Sequence, residues 1–371
     1  MSKLRAGIIG CGIICRNYLR FSLNVYPQLE IAACADIVPG KAEELAQEFP
    51  ALRPMSVAEM MADKSIDMVL NFTIPAAHFD IAMQALNAGK HVYSEKPIVI
   101  SRHEAEVLCR TAGEKGLRLG CAPDTFLGGG IQSVIKLIND GAVGRVIAIS
   151  GNMLFHGPES FHPNSEFYYQ PGGGPLFDMA PYYLNAFIAM LGPVKAVSCH
   201  AVKGFETRHF GCGPKIPDAK KGKPIPVEVY THWNTILEFA NGTLGNFNAS
   251  WDVWGSEMPK IEIHGTTGSI VFTDPNSFTG KIRLFRESSG EWEDVPLTHN
   301  DDCGRGIGIA DMAQGIIDNR PHRASGEMAL HVFDIMQSAL ESAESGRSVT
   351  LTTTCDRPAP LMPGSKKEKS N

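Results

Sequence analysis

The chain has 371 residues, which is enough for two domains of ordinary size. Hydrophobic residues make up 43% and charged residues 20%, as is typical of a soluble globular protein, and the formal net charge of −6 argues against nucleic acid, because phosphate binding requires a basic face. No apolar run approaches the roughly 18 residues of a membrane helix, and no signal-peptide segment precedes the first strand, so we expect no membrane association.

Cysteine usage indicates the redox compartment. Nine cysteines are scattered along the chain without a CxxC pair. In a chain of this size, that pattern predicts reduced thiols in a cytoplasmic protein. His209 lies near Cys212 in "RHFGCG", but no second pair of ligands has zinc spacing, so we expect no metal.

The first part of the chain alternates strand and helix signals. Short apolar runs predict five strands, at "LRAGIIG", "LEIAACAD", "IDMVLNFT", "KHVYSEK" and "LRLGCAP". Ser101, with Glu104 three residues later, predicts the N-cap and capping box of the helix that follows the fourth strand. Because strands and helices alternate, we expect a parallel sheet with right-handed crossovers, which is an α/β Rossmann domain over residues 1–123.

The pattern changes after about Pro123. One helix is predicted over about residues 130–140, and longer strands of alternating polarity begin at "RVIAISGNML", with "ANGT" as a hairpin turn. These signals predict an α+β domain over residues 124–350, with a large, mostly antiparallel sheet that has one face left for a partner. A helix over about 328–345 ends the ordered part, and we expect the proline-rich, basic tail 351–371 to be mobile.

The segment "GIIGCGIIC" follows the first strand and opens a helix. Gly10 allows the tight turn from strand to helix. Gly12 lets a pyrophosphate approach the backbone and the helix N-terminus, where Ile13 and Ile14 follow. Cys15 stands where a third glycine is usual, so the match is partial. The segment predicts a dinucleotide site.

Two further strand ends predict cofactor contacts. Asp36 ends the second strand, where an acid accepts hydrogen bonds from the ribose hydroxyls. A carboxylate there repels a 2′-phosphate, so we expect NAD rather than NADP; the alternative is that Asp36 caps a turn. Thr73 and Pro75 follow the third strand, where a doubly wound sheet places ligands. The same two residues can also cap the turn and start the next helix.

Four motifs in order resemble the Gfo/Idh/MocA family, which includes glucose–fructose oxidoreductase and inositol dehydrogenase. They are "GIIGCG", the "T-x-P-x-x-H" of Thr73, Pro75 and His78, "AGKHVYSEKP" at 88–97 and "GGGPLFDMAPYY" at 172–183. The "EKP" block and the later glycine–aspartate block are specific as a pair. The resemblance covers nearly the whole chain, and it implies a cofactor contact for His78 and a homo-oligomer, dimer or higher, built through the C-terminal sheet.

A charged pair stands next to proline where "HVYSEKPIVI" leaves its strand. The resemblance implies that Lys96 lies between the nicotinamide and the substrate, with a lysyl–prolyl bond that is often cis. Pro97 restricts Lys96 to an extended backbone and makes a cis bond accessible. Glu95 would hold the loop or contact the cofactor ribose. The alternative is that Glu95 and Lys96 are a solvated pair at the end of a strand.

The second half of the expected site lies in "QPGGGPLFDMAPYYLNAFIAML". Three glycines allow a close backbone approach, and a helix follows. Pro181 fits the first turn of a helix, so we expect Asp178 at or near the N-terminus. Tyr182 lies four residues further, on the same helix face. The alternatives are an N-cap for Asp178 and domain packing for Tyr182.

Many members of the family have a histidine at the position of Tyr182, and other branches have a tyrosine. A free tyrosine has a pKa of about 10, too high for a base at neutral pH, and a nearby ammonium favours the phenolate. We therefore predict that Lys96 and Tyr182 form the acid–base unit, with either one moving the proton. Asp178 would orient the substrate hydroxyl or the lysine.

The resemblance predicts an NAD(P)-dependent oxidoreductase that transfers hydride between a nicotinamide and a secondary alcohol or ketone of a sugar, polyol or glycoside. Candidate substrate contacts are the aromatic and hydrogen-bonding residues His156, His162, Tyr168, Trp251 and Trp254. Three alternatives remain open. They are an enzyme with tightly bound NAD(H) that oxidises a glycoside or interconverts two sugars, a non-catalytic dinucleotide-binding regulator, and a binding module with an empty Rossmann fold.

Overall fold

The computed structural model describes residues 3–364, except for the side chains of residues 21–25. The chain divides into two compact units. The first unit contains the residues up to Gln132, Thr298–Phe333 and the residues from Pro358 onward, and the second contains Ser133–Leu297 and Asp334–Arg357. The predicted domain boundary at residue 123 therefore lies shortly before this division, and the prediction did not include the return of the chain to the first unit.

The first part of the chain alternates strands and helices, as the sequence predicts. Its elements are β1 (Leu4–Ile9), α1 (Ile13–Val25), β2 (Leu29–Ala35), α2 (Lys41–Glu48), β3 (Arg53–Pro54), α3 (Val57–Ala62), β4 (Met68–Asn71), α4 (Pro75–Asn87), β5 (His91–Ser94), α5 (Arg102–Glu114), β6 (Leu119–Cys121) and α6 (Gly129–Asn139). The six strands form one sheet in the order β3-β2-β1-β4-β5-β6, and all neighbours are parallel. This confirms the α/β Rossmann prediction.

The strands of this sheet form because short apolar runs are buried on both faces. Every residue of β4 and nearly every residue of β1 and β2 is buried, as expected where helices cover both faces of a parallel sheet. Ser101 accepts a hydrogen bond from the backbone N–H of Glu104, which confirms the predicted N-cap of α5. Ser56 and Glu59 form a full capping box at α3, where "SVAE" has the S-x-x-E pattern of such a box.

The remaining elements are β7 (Val146–Leu154), α7 (Gly174–Leu191), β8 (Val194–Val202), β9 (Thr207–His209), β10 (Pro224–Pro226), β11 (His232–Phe239), β12 (Leu244–Ser250), β13 (Ile261–Gly265), β14 (Gly268–Phe272), β15 (Ile282–Arg286), β16 (Trp292–Val295), α8 (Ile307–Ile317), α9 (Gly326–Ser345) and β17 (Val349–Thr350). Nine of the strands form a sheet in the order β16-β15-β14-β13-β7-β12-β11-β8-β17. Only β7 and β12 are parallel in it, so the mostly antiparallel α+β prediction is confirmed. No helix within residues 3–364 combines the length and the apolar character needed to cross a bilayer.

The two faces of the nine-stranded sheet differ. Helix α7 covers one face, where its Tyr183 packs on Phe247 of β12 with 4.9 Å between ring centroids. Gly151 of β7 leaves room for this helix, because a Cβ at Gly151 would lie 2.7 Å from Cζ of Phe187. The opposite face presents three largely exposed apolar side chains: Val202, Ile236 and Leu244.

Residues 298–333 belong to the first unit because they are bonded to the carboxyl end of β6. Oδ2 of Asp124 accepts hydrogen bonds from the backbone N–H groups of Gly306 (2.8 Å) and Gly308 (3.0 Å). Gly308 has no space for a side chain, since a Cβ there would clash with the Tyr93 hydroxyl. Gly120 of β6 forms an antiparallel bridge with Ser325. These contacts join positions that are more than 180 residues apart, so local patterns could not predict them.

The expected mobile tail needs a correction over residues 351–364. In the second unit, Arg357 donates to the carbonyl oxygen of Ala189 (2.9 Å). In the first unit, Arg323 donates to the carbonyl oxygens of Ala359 and Pro360, and the N–H of Leu361 donates to Gln132. Residues 351–364 form no helix or strand, so their backbone carbonyl and N–H groups remain available for hydrogen bonds with side chains. These hydrogen bonds fix the segment to the two units. The basic end of the predicted tail, residues 365–371, lies outside the described residues.

Candidate functional site

The glycine turn between β1 and α1 has the geometry of a dinucleotide-binding loop. Gly10 has φ +101°, and a Cβ there would lie 2.7 Å from the backbone nitrogen of Thr73, so only glycine fits. Gly12 is the N-cap of α1, and a Cβ at Gly12 would meet no described atom within 4 Å. The backbone at the helix N-terminus is therefore open to a phosphate. Cys15, at the usual third glycine, is buried and donates to the carbonyl oxygen of Gly12 (2.9 Å).

Asp36 joins this loop to the end of β2. Its Oδ2 accepts from the backbone N–H of Cys11 (2.8 Å), and its Oδ1 accepts from that of Val38 (2.8 Å). The turn cap that the sequence left as an alternative is therefore present. Two of roughly four lone-pair positions on the carboxylate are used by these bonds, so acceptor capacity remains for ribose hydroxyls. Ile37 and Val38, which follow, are exposed apolar residues.

The Thr-x-Pro-x-x-His segment follows β4 and connects it with the loop after β5. Pro75 is the first residue of α4, as predicted, and the hydroxyl of Thr73 donates to Oδ1 of Asn71 (2.7 Å). His78 is fully buried; its Nδ1 lies 2.6 Å from the carbonyl oxygen of Pro97 and its Nε2 lies 3.1 Å from that of Thr73. Burial lowers the pKa of His78. A ring without exposed surface can influence a cofactor only through the two loops that it joins.

The residues Glu95, Lys96 and Pro97, which we call the lysine loop, follow β5 at the same sheet edge. Glu95 is buried; its Oε1 accepts from the hydroxyl of Tyr18 (2.6 Å) and its Oε2 accepts from the backbone N–H of Lys96 (2.9 Å). The alternative of a solvated pair at a strand terminus does not fit a buried Glu95. Lys96 is half-buried, and the bond between Lys96 and Pro97 is cis, as the resemblance implied.

Two buried residues near the lysine loop were missed by sequence reasoning. Tyr18 lies three residues after the buried Cys15, on the core-facing side of α1, and a buried tyrosine hydroxyl generally requires a partner. Asp124 follows β6, and an acid at the carboxyl end of a parallel strand is itself a signal. Burial raises the pKa of Asp124 to about 6, although hydrogen bonds from Gly308 and Gly306 oppose the shift.

The structure corrects the start of helix α7 in the second unit. The helix begins at Gly174 and carries Pro175 in its first turn, so Pro181 lies in the interior rather than in the first turn. The glycines decide this start, since a Cβ at Gly173 would clash with the carbonyl of Tyr168. Asp178 therefore lies in the second turn. It is half-buried, Tyr182 is buried, and the continuous helix places both on one face.

The five aromatic and histidine candidates for substrate contacts have different environments. Trp251 is fully buried, with the rings of Phe155, Tyr168 and Tyr169 packed against it edge-on. A fully buried ring offers no surface to a sugar, so Trp251 supports Tyr168 instead. Trp254 is 82% exposed.

The half-buried His156 and the exposed Trp254 form a stacked aromatic pair. Their rings are stacked, with centroids 3.3 Å apart and an interplanar angle of 16°. Burial, and secondarily the charge of Arg208, lower the pKa of His156. The edge of Phe205 contacts the His156 ring, with centroids 5.8 Å apart. One face of the Trp254 indole is thus supported by the protein while most of the side chain remains accessible.

A buried ionic cluster that sequence reasoning missed supports this pair. Arg208 is 3% exposed; its Nε donates to Glu159 (2.9 Å) and its Nη1 donates to Asp252 (3.1 Å). Its Nη2 donates to the carbonyl oxygen of His156 (2.9 Å), and Tyr169 donates to Glu159. The partners lie more than 40 residues from Arg208 along the chain, so no local signal could have found them.

His162 and Tyr168 lie in a second aromatic group beside α7. The edge of Tyr168 faces the His162 ring, with centroids 5.2 Å apart, and the edge of His162 also faces Phe167. The backbone of Tyr168 packs directly against Gly173 at the N-terminus of α7. The predicted substrate contacts at His162 and Tyr168 are therefore adjacent to the helix that carries Asp178. No group of three or more metal-ligating side chains occurs within residues 3–364.

A glycine turn, an acid at the end of the second strand and a lysine at one edge of a parallel sheet, followed by an α+β unit with a large open sheet, define a class of two-domain, dinucleotide-dependent oxidoreductases. Residues 4–122 match the model of an oxidoreductase family with an NAD-binding Rossmann fold, and residues 131–271 match the Gfo/Idh/MocA C-terminal domain. The chain belongs to the Gfo/Idh/MocA family of oxidoreductases.

Its relatives include named dehydrogenases. The chain is 21% identical to the NADP-linked scyllo-inositol 2-dehydrogenase of Bacillus subtilis, over 95% of this chain and 97% of the relative. It is 27% identical to the levoglucosan dehydrogenase of Pseudarthrobacter phenanthrenivorans, over 73% and 74%. A solved structure of levoglucosan dehydrogenase with NADH and L-sorbose is similar in fold, with a TM-score of 0.79 and 23% identity over 95% of this chain and 100% of that one.

Proposed function

We propose that this oxidoreductase transfers hydride between NAD and a secondary alcohol or ketone of a sugar, polyol or glycoside. The observation that carries the proposal is Lys96 in a fixed loop at the carboxyl end of β5, at the same sheet edge as Gly12 and Asp36. Ligands of doubly wound sheets bind at this edge. The names of the scyllo-inositol and levoglucosan relatives support a substrate of the sugar or polyol class.

The proposed chemistry assigns separate roles to three side chains. When bound, the nicotinamide supplies the acceptor for the hydride that leaves the carbinol carbon. Lys96 or Tyr182 takes the hydroxyl proton as the carbonyl forms, and returns it in the reverse direction. Asp178 accepts a hydrogen bond and orients the hydroxyl or the lysine. In this proposal Glu95 and His78 act on the lysine loop, and Thr73 and Pro75 shape the neighbouring turn.

The residues present favour NAD over NADP. Asp36 is held in place at the end of β2 by two backbone N–H groups, and its charge would repel a 2′-phosphate. The next two residues, Ile37 and Val38, carry no cation that could bind one. The open backbone at Gly12 fits a pyrophosphate at the N-terminus of α1. Since one relative is NADP-linked by name, the cofactor has to be tested with both dinucleotides.

For substrate binding, we propose that a sugar ring packs on the exposed face of Trp254. Aromatic faces suit the apolar C–H surface of a sugar, and a ligand site combines such surfaces with a few polar groups. His156 supports the indole from its other face. His162 and Tyr168 would contact the substrate from beside α7.

We also propose a homo-oligomer formed through the open face of the nine-stranded sheet. Val202, Ile236 and Leu244 are largely exposed on that face, and large apolar side chains exposed on a sheet face are candidates for an interaction surface. A second copy of the chain is the proposed partner. Sedimentation of the wild-type protein beside Ile236→Glu tests this, since a charge at a self-complementary interface should dissociate it.

The function is tested by assaying the purified protein with NAD or NADP against a panel of polyols, aldoses and glycosides. The absorbance of reduced nicotinamide is followed, with Lys96→Ala as the variant and the exposed Lys64→Ala as the control. We expect one substrate class to react with NAD, and Lys96→Ala to lower kcat/KM at least about a hundredfold, equivalent to about 3 kcal/mol of barrier. Wild-type rates in Lys96→Ala would refute the role of the lysine.

The same experiment separates the alternatives. Nucleotide that stays with the protein through purification, and is reduced by one sugar and reoxidised by another, would favour the tightly bound NAD(H) enzyme. Tight NAD binding without turnover of any substrate in the panel would favour the regulator. If neither NAD nor NADP binds, only the binding module remains.

A further inference from the structure

Tyr18 connects the cofactor-binding helix with the lysine loop. It lies in the second turn of α1, which follows the N-cap Gly12, and its side chain is fully buried. Its ring stacks on Phe72 with 4.4 Å between centroids, and its hydroxyl donates to Oε1 of Glu95. Phe72 in turn contacts the glycine turn, since its carbonyl limits the space at Gly10. Tyr18 therefore contacts the lysine loop directly, through Glu95, and the glycine turn indirectly, through Phe72.

Glu95 transmits this contact to the backbone of Lys96. One carboxylate oxygen receives the Tyr18 hydroxyl, and the other receives the Lys96 N–H at 2.9 Å. A buried carboxylate with two defined donors has one orientation, because turning it would leave a donor and an acceptor unsatisfied. The position of the lysine backbone is thus set by a hydroxyl on the helix that receives the cofactor pyrophosphate.

A second contact restrains the other end of the loop. Nδ1 of the His78 ring lies 2.6 Å from the carbonyl oxygen of Pro97. The backbone carbonyl oxygen of His78 accepts a hydrogen bond from the side-chain amide of Asn71 (2.9 Å). The lysine loop is therefore held to α4 on one side and to α1 on the other. Of these two contacts, only the one through Tyr18 reaches the helix at which the dinucleotide binds.

We propose that Tyr18 is a positioning residue that aligns Lys96 with the bound cofactor through Glu95. Hydride and proton transfer need reacting atoms in a narrow range of distances, and a misplacement of about 1 Å can cost a hundredfold in rate. The inference rests on the proposed role of Lys96. It assigns to Tyr18 no contact with the substrate.

The test is Tyr18→Phe, which removes the hydroxyl and keeps the ring that stacks on Phe72. We expect the single-turnover rate of NAD reduction to fall about tenfold, with the Kd for NAD within about twofold of the wild-type value. The matched control is Tyr26→Phe, which removes a hydroxyl that donates to the Gly304 carbonyl at the other end of α1. It should change the melting temperature without changing the rate by more than about twofold.

A double-mutant cycle shows whether Tyr18 acts through Glu95. If it does, Tyr18→Phe should have little further effect in a Glu95→Gln background. Independent, multiplying effects would overturn the proposal. A large rise in the Kd for NAD in Glu95→Gln would also overturn it, because Glu95 would then contact the cofactor directly. Should Tyr18→Phe fold poorly, Glu95→Gln alone tests the same loop by its single-turnover rate and its Kd for NAD.

Measuring Lys96→Ala in the same series keeps the two proposals apart. An inactive Lys96→Ala with wild-type rates in Tyr18→Phe overturns the positioning role alone. Activity that survives in Lys96→Ala overturns the proposed function and the positioning role together. If the single-turnover rate falls in proportion to the melting temperature in both Tyr18→Phe and Tyr26→Phe, then Tyr18 has only a structural role.

Discussion

The two units support their candidate functional residues in different ways. In the first unit, short bonds to backbone groups at the ends of parallel strands hold Asp36 and Glu95. In the second unit, a buried ionic cluster of side chains from distant segments supports the stacked pair of His156 and Trp254. Backbone turns recur in related sequences as short motifs, whereas such a cluster has no motif. A functional site can therefore be recognised from sequence where neighbouring residues set its geometry.

The largest expected effect is the loss of the ionic cluster in the second unit. Arg208→Met leaves the carboxylates of Glu159 and Asp252 buried without their cation, so the free energy of unfolding should fall by about 3–5 kcal/mol. Denaturant unfolding measures it. Arg286→Met is the control, because that arginine pairs with Glu293 at the surface, and it should cost no more than about 1 kcal/mol. Equal losses in both variants would show that the cluster does not stabilise the unit.

In the first unit, two neighbouring glycines should fail in different ways. Gly10→Ala places a side chain at φ +101° against the backbone of Phe72 and Thr73. The melting temperature should therefore fall, and NAD binding should be lost. Gly12→Ala meets open space, so the melting temperature should stay within about 1 °C, while the Kd for NAD rises about tenfold because the methyl group blocks the pyrophosphate. Calorimetry with and without NAD measures both. An unchanged Kd in Gly12→Ala would place the pyrophosphate elsewhere.

A smaller effect should appear as pH dependence of the first unit. Burial raises the pKa of Asp124 to about 6, above the value of 3.8 for an unperturbed aspartate. Between these values the folded protein binds a proton that the unfolded chain does not, so the stabilisation is present at low pH and is lost as the pH rises through about 6. The titratable or charged groups that interact with this carboxyl include Arg305, Glu95, Tyr93, Tyr18, Tyr26 and Cys303.

Asp124→Asn cannot ionise, so its free energy of unfolding should gain on that of the wild type between about pH 4 and about pH 7. The gain should approach about 1.4 kcal/mol per unit of pKa shift. Thermal melts across that range measure it. A constant difference between the two proteins would mean that Asp124 ionises normally when folded.

The smallest expected effect on stability belongs to the stacked pair in the second unit. Trp254→Ala should leave the melting temperature and the Kd for NAD unchanged, and it should raise KM for the sugar about tenfold, because a stacking surface worth about 1 kcal/mol or more is lost. Steady-state kinetics with the best substrate of the panel measure it. Trp251→Phe, in the buried ring cluster, should instead lower the melting temperature, because it leaves a cavity in the core. An unchanged KM in Trp254→Ala would remove Trp254 from the substrate site.

Much of the first unit could be predicted from sequence. Five of its six strands, the N-cap at Ser101 and the turn at Gly10 depend on periodicity and on neighbouring residues. In the second unit, the start of α7 was predicted wrongly, because Pro181 was placed in a first turn that the glycines had already formed at Gly174. Pro175 fits a first turn as well as Pro181 does, and the packing of Gly173 against Tyr168 fixes the helix start just before Pro175.

The sequence by itself determined the family, the two kinds of sheet and the backbone positions of Gly10, Asp36 and Lys96, because motifs, periodicity and strand ends are local properties of the chain. Only the tertiary structure decided that Tyr18 holds Glu95, that Trp251 is buried while Trp254 is exposed, and that Arg208 lies between two acids. These contacts join residues more than 40 positions apart or depend on which face of a segment is covered. Burial and long-range pairing are results of the whole fold, and no short stretch of sequence encodes them.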